Sequence, residues 1–83
     1  MTIDQRMDAR NADQLTRRIV AVVMHARDGH FGVLSTGEQL AAALALNRAD
    51  WLKEMSYTYL QAVERIGPDW AKRLPEVAEL LEL

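Results

Sequence analysis

Helical spacing of apolar residues is the feature that most constrains this chain, because it recurs in every long segment. Over residues 4–27 the apolar side chains return every three or four positions and so share one helix face; they are Leu15, Ile19, Val22, Val23 and Ala26. The pattern is clear from Ala12 onward. Asp28 and Gly29 follow, and glycine readily takes the left-handed conformation that ends a helix. We therefore predict a first helix that ends at Gly29.

A capping signal opens the second predicted helix. Ser35 stands three residues before Glu38, which is the spacing of a capping box, in which each side chain accepts the backbone N–H of the other residue. Leu40, Leu44 and several alanines follow, a composition that favours a buried helix with a close neighbour. Residues 30–34 are interpreted as a connector with room for a brief extended stretch, and its Phe31 as a core residue.

A third helix is predicted from Asn47, whose side chain would cap it, with Asp50 in the first turn where the helix dipole favours negative charge. The apolar residues from Trp51 to Ile66 recur at the spacing of a single helix that would end at Gly67. Ser56 to Gln61 contains a second capping signal, however, and we favour a break near Ser56.

The last helical segment follows Gly67 and Pro68, a pair that ends a helix because glycine supplies the left-handed cap and proline cannot continue the hydrogen-bond ladder. Residues 69–83 are predicted to be helical with a restart at Pro75. The apolar stripe of this segment consists of Val77, Leu80 and Leu81.

Together these segments predict an all-α fold, a small orthogonal bundle of four to five short helices. Residues 1–83 form a single helical domain in this interpretation, with residues 1–10 as a candidate disordered end. The predicted core contains Leu15, Ile19, Val22, Leu40, Leu44, Trp51, Leu52, Val63 and Ile66.

Composition narrows the class of protein further. The 83 residues are 49% hydrophobic and 27% charged, which is typical of a globular domain with one core. There is no cysteine, which excludes disulfides and thiolate metal sites and fits a reducing cytoplasm. The longest apolar run, residues 19–24, is too short to span a bilayer, and the first six residues lack the order of a signal peptide. We expect a cytoplasmic protein without a membrane segment.

Charge counts against nucleic acid as a partner. Ten Lys and Arg against twelve Asp and Glu give a net charge of −2, whereas domains that bind nucleic acid usually carry a basic excess. The distribution is uneven, since residues 1–34 hold five Arg against four Asp and the last seventeen residues are plainly acidic.

The segment from Thr36 to Met55 nevertheless resembles the helix-turn-helix of many bacterial repressors. Thr36 and Glu38 stand where that family opens its first helix, Ala41 where the two helices cross, and Asn47 where the recognition helix starts. Leu40, Leu44, Leu46 and Trp51 match its buried positions. Ala45 departs from the pattern because it stands where the turn usually has glycine.

The resemblance implies a regulator that binds duplex DNA, and a helix-turn-helix core for the bundle. Bases would be read from the start of the recognition helix by Asn47, Arg48 and Lys53. Arg17 and Arg18 would add contacts to phosphates. Asp50 and Glu54 would repel phosphates on the same face. The plainer alternative is that two capped amphipathic helices joined by a short turn occur in any small bundle.

A second hypothesis is a helical module that binds a protein, either a partner or a second copy in a dimer. Tyr57 falls off the apolar stripe and Trp70 follows a helix break, and half-exposed aromatic residues are common in interfaces. Leu80 and Leu81 must rest on the bundle or on another chain. Packing at the edge of the core is the structural alternative for Tyr57 and Trp70.

Other chemistry finds little support in the sequence. His25, Asp28 and His30 could supply metal ligands, but a helix end and Gly29 separate them and helix-end histidines commonly cap carbonyls. No nucleophile stands beside a base, and no glycine-rich phosphate loop is present. We expect a non-enzymatic protein without metal, cofactor or small-molecule ligand. The motif places DNA binding first and the interaction module second.

Overall fold

The computed structural model describes residues 13–83, and helical geometry covers 77% of them. The predicted disordered end and the start of the first predicted helix lie outside these residues. The α-helices are α1 (Gln14–His25), α2 (Thr36–Ala45), α3 (Ala49–Glu54), α4 (Tyr59–Ile66), α5 (Pro68–Ala71) and α6 (Leu74–Leu80). Residues 13–83 contain no strand. The all-α prediction is confirmed, and counting the single turn of α5 with α6 gives five helices.

Helix starts follow local capping chemistry. Asp13 caps α1, since its Oδ1 accepts the backbone N–H of Thr16 at 2.7 Å. Ser35 and Glu38 form the predicted capping box of α2. Thr58 and Gln61 form another at α4, so the break favoured near Ser56 is confirmed.

Helix ends use left-handed residues, and here one prediction was wrong. Asn47 is not the cap of α3, because its φ of 56° makes it the left-handed residue that follows α2. Its N–H donates to the Leu44 carbonyl at 3.2 Å, and the N–H of Arg48 donates to the Ala43 carbonyl at 2.8 Å. This is a Schellman motif. Arg48 occupies the cap position of α3 without a side-chain capping bond.

The same motif recurs at Ser56, with a φ of 63°. The N–H of Tyr57 donates to the Leu52 carbonyl at 2.9 Å and the N–H of Ser56 to the Lys53 carbonyl at 3.0 Å. The side chains of Tyr57 and Leu52 belong to one apolar cluster, as is usual across this motif. A non-glycine residue therefore holds a strained conformation at the end of α3.

The connector between α1 and α2 is more helical than predicted. α1 passes into a π-type turn, Ala26–His30, in which Gly29 has a φ of 98° and provides the expected break. Phe31–Val33 then forms a 3-10 turn rather than an extended stretch, because the Leu34 N–H donates back to the Phe31 carbonyl at 3.1 Å. Leu34 and the capping residue Ser35 are extended.

α2 lies at the centre of the bundle, in contact with α1, α3, α4 and α6. One cluster joins α2, α3 and α4; its buried residues are Leu40, Ala43, Leu52 and Ala62. A second joins α1 and α6; its buried residues are Ile19, Val23 and Val77. Ala41, Ala42 and Ala43 of α2 are fully buried, as its composition predicted, and Ala45 is half-buried.

The predicted core is correct in part. Ile19, Val22, Leu40 and Leu52 are buried. Four further predicted residues are half-buried against the clusters, namely Leu15, Leu44, Trp51 and Ile66. Val63 was predicted wrongly, because it is 40% exposed while its neighbour Ala62 is fully buried.

An ion pair joins Asp13, the first described residue, to Arg73 between α5 and α6. The Arg73 guanidinium lies 3.1 Å from Asp13 Oδ2 and also donates to the Asp69 carbonyl at 2.6 Å. The backbone hydrogen bond from Thr16, and next the hydrogen bond from Arg73, lower the pKa of Asp13 to about 2. α1 is thereby fastened to the junction of α5 and α6. No helix of residues 13–83 is both long and apolar enough to cross a membrane.

Candidate interaction surfaces

The side chain expected to read bases is held by its own neighbours. Arg48 makes two hydrogen bonds to the Asp50 carboxylate, at 3.0 and 2.8 Å. Its guanidinium also lies over Trp51, 4.2 Å from the ring centroid. Hydrogen bonding to Arg48 lowers the pKa of Asp50, and the same bond raises the pKa of Arg48. The pair therefore stays ionised and its charges largely cancel.

The rest of α3, which would be the recognition helix, has few side chains that could contact bases in a DNA groove. α3 has only six residues, and Lys53 is exposed beside the exposed acidic residues Asp50 and Glu54. Asn47 lies in the turn, where its Oδ1 accepts a long hydrogen bond of 3.4 Å from the Tyr59 hydroxyl. Ala45, at the family's glycine position, is the last residue of α2, so the left-handed residue falls two positions later.

The arginines of α1 do not form one basic surface with Arg48 and Lys53. Arg18 contacts Glu38 at 3.9 Å and lies over Trp70, 5.6 Å from its centroid. Glu38 is in the first turn of α2, whereas Arg48 follows its last turn, and a helix of ten residues is about 15 Å long. Arg17 is exposed on α1. The five candidate DNA-binding residues are thus divided between the two ends of α2.

Among the four candidate interface residues, Tyr57 lies in a different apolar cluster from Trp70 and Leu81. Tyr57 is half-buried against the cluster of α2, α3 and α4. Trp70 and Leu81 are half-buried against the other cluster, and Leu80 is half-buried as well. The apolar stripe of α6 therefore rests on α1 and α2 of the same chain.

An apolar surface lies instead on α4. Leu60 is 82% exposed, and its neighbours Tyr59 and Val63 are 49% and 40% exposed. We call these three residues the α4 outer face. Val63 neighbours both Tyr59 and Leu60 on the helix surface, since residues three and four positions apart lie next to each other. Sequence reasoning missed this face because it assigned Val63 to the core, although Leu60 already stood off the apolar stripe.

A cleft opens where α1, α4, α5 and the first turn of α2 meet. We call it the arginine cleft; its volume is about 130 Å³, and it is lined by Arg18, Ser35, Gly37, Glu38, Arg65, Ile66 and Trp70. The Arg18 side chain is 65% exposed, and Arg65 is exposed too. Trp70 and Ile66 provide an apolar wall. Of these lining residues, only Arg18 and Trp70 were predicted from the sequence as binding residues, Arg18 for DNA and Trp70 for a protein interface.

The chain matches no family model, curated protein or solved structure.

The two histidines lie near each other at the end of α1. The rings of His25 and His30 meet edge to face, with centroids 6.0 Å apart. Within residues 13–83 no group of three or more histidine, aspartate or glutamate side chains is arranged to hold a metal ion.

Proposed function

We propose that this chain is a non-enzymatic helical module that binds another protein through the α4 outer face. The observation that carries the proposal is the 82% exposure of Leu60, together with the partial exposure of Tyr59 and Val63 on the same helix. Burying an exposed leucine side chain is worth about 1.5–3 kcal/mol, so a partner that covers this face gains binding energy directly. Tyrosine adds a flat apolar ring with a polar hydroxyl, a combination enriched in interfaces.

Charge supports a protein partner. The net charge is −2, and the best-placed cation of α3, Arg48, is neutralised by Asp50 at 2.8 Å. Apolar contact does not require a positive surface, whereas binding to phosphates does. The exposed groups of the fold, which are the apolar residues of the α4 outer face, therefore suit a protein partner.

The test is a comparison of two equally exposed apolar positions. Leu60→Glu places a charge in the α4 outer face, and Val33→Glu places one at a residue that is 83% exposed on the 3-10 turn. Wild-type and both variants are used as bait in lysate of the source cells, and retained proteins are then purified and measured by calorimetry. We expect one partner that binds wild-type and Val33→Glu with equal Kd and is lost by Leu60→Glu.

Light scattering of the purified chain completes this test. Self-association that only Leu60→Glu removes would identify the partner as a second copy. The proposal fails when no protein and no second copy discriminates between the two variants.

DNA binding is the second candidate, and the specific observation in its favour is the helix, turn and helix from Thr36 to Glu54, with Arg48 and Lys53 exposed near the start of α3. Arg48 would have to exchange Asp50 for a guanine edge. Asp50→Asn should then strengthen binding, and Arg48→Ala should weaken it by about 1–3 kcal/mol. Anisotropy titration with random duplexes at about 50 mM salt measures both changes. Absence of binding there would reject this candidate.

A further inference from the structure

We propose that the arginine cleft binds a carboxylate on a short apolar stem, carried by an acidic side chain of the partner protein. This inference rests on the proposed function, because the partner supplies the ligand. Arg18 and Arg65 come from two different helices and line the same cleft. The planar guanidinium group matches a carboxylate with two parallel hydrogen bonds, so two such groups in one cleft select for that anion.

The size of the cleft limits the ligand to a small group. Its volume of about 130 Å³ is below the roughly 300–1,000 Å³ of pockets that hold drug-sized ligands. A carboxylate with one or two methylene groups is a ligand group of suitable size. The walls of Trp70 and Ile66 suit the methylene groups, while Arg18 and Arg65, which line the same cleft, suit the negative charge.

The charges of the cleft favour a carboxylate over a phosphate group. Glu38 also lines the cleft; its hydrogen bond from the Ser35 backbone lowers its pKa, so it remains ionised. Two arginines and one glutamate leave a net charge of +1. A carboxylate carries a single negative charge, whereas a phosphate monoester carries about −1.5 to −2 at pH 7 and would repel Glu38 more strongly.

The test is a titration of the full chain with butyrate at constant ionic strength, followed by NMR. We expect a saturable shift of the Trp70 indole N–H and of the amides of residues 35–38, while the Trp51 indole N–H stays in place. Arg18→Gln and Arg65→Gln should each weaken butyrate binding by up to about 5-fold, as for exposed charge pairs, and the double variant should abolish the saturable shift. Arg17→Gln is the matched control, since Arg17 is exposed on α1 but does not line the cleft.

Several outcomes would overturn the inference. They are a linear, unsaturable response, an equal shift at Trp51, or an equal loss of binding in Arg17→Gln. If inorganic phosphate binds more tightly than butyrate, the ligand of the cleft is a phosphate group and not a carboxylate. The spectrum of each variant without ligand shows directly whether it is folded. Because the probe is a small molecule, failure here is separate from failure of the capture experiment at Leu60.

Discussion

Replacing Leu40 by alanine tests the central claim about packing, that α2 is held by the residues around Leu40. Leu40 is fully buried, and it packs in one cluster with Ala43, Leu52 and Ala62. The substitution removes three carbon groups, each worth about 0.8 kcal/mol of transfer free energy when buried. A cavity remains as well, because the neighbouring alanines are too short to fill it.

The expected loss is about 3–4 kcal/mol, within the range of about 2–5 kcal/mol that is usual for buried leucines. A domain of this length has a free energy of unfolding of about 4–12 kcal/mol. Leu40→Ala should therefore remove a large part of the total stability and leave the native state only marginally populated in the least favourable case.

Urea denaturation followed by circular dichroism measures the change. The matched control is Leu60→Ala, which makes the same chemical change at a residue that is 82% exposed. It should alter the free energy of unfolding by no more than about 0.5 kcal/mol. A loss below about 1 kcal/mol for Leu40→Ala, or equal losses for both variants, would refute the proposed packing.

Three further predictions address the caps and the ion pair. Ser56→Gly should stabilise the fold by about 0.5–1 kcal/mol in thermal unfolding, because it removes a left-handed strain of roughly 1–2 kcal/mol and adds an entropic cost of about 0.5–1 kcal/mol. Gly29→Ala should destabilise the fold, and the opposite pair of results would contradict the helix ends described. Thr58→Ala should cost about 1 kcal/mol by removing the capping box of α4, and an unchanged urea midpoint would argue against that cap. The folded-state pKa of Asp13 is about 2 against an ordinary 3.8, so its contribution to stability is complete above the ordinary value and is lost as the pH falls toward 2. Acid titration of wild-type and Asp13→Asn should therefore show a stability difference that shrinks over this interval, and a difference independent of pH would exclude the carboxylate as its source.

The starts of the helices could be predicted because capping is local. Ser35 with Glu38, and Thr58 with Gln61, each place donor and acceptor three residues apart, and both boxes form. Tertiary packing is not needed to recognise such a pair. The glycine breaks at Gly29 and Gly67 follow equally local rules, and both residues have positive φ.

Asn47 was misassigned because asparagine suits two different positions. It caps a helix start well, and it also tolerates the left-handed conformation after a helix end. Which of the two occurs depends on where α2 stops. The buried alanines let α2 continue to Ala45, and Asn47 then falls two residues beyond the helix, at the left-handed position of the Schellman motif.

The surfaces were harder to predict, because they depend on contacts between separate helices. Periodicity groups Tyr59, Ala62, Val63 and Ile66 on one side of α4. The close approach to α2 buries only Ala62 completely and leaves Val63 at the margin. The arginine cleft likewise requires residues from four segments. No single stretch of sequence contains the pattern that would reveal it.

The ion pairs of Arg18 and Arg48 bear on whether the partner is a protein or DNA. Arg48 has a carboxylate at 2.8 Å, whereas Arg18 has Glu38 only at 3.9 Å, and the Oε1 of Glu38 is already bound to the Ser35 N–H. Positive potential should therefore be greater at the cleft than at α3. A partner that combines apolar contact at Leu60 with one carboxylate in the cleft needs few ion contacts, so its Kd should vary weakly with salt. DNA affinity, in contrast, falls steeply with salt because each phosphate contact releases counterions.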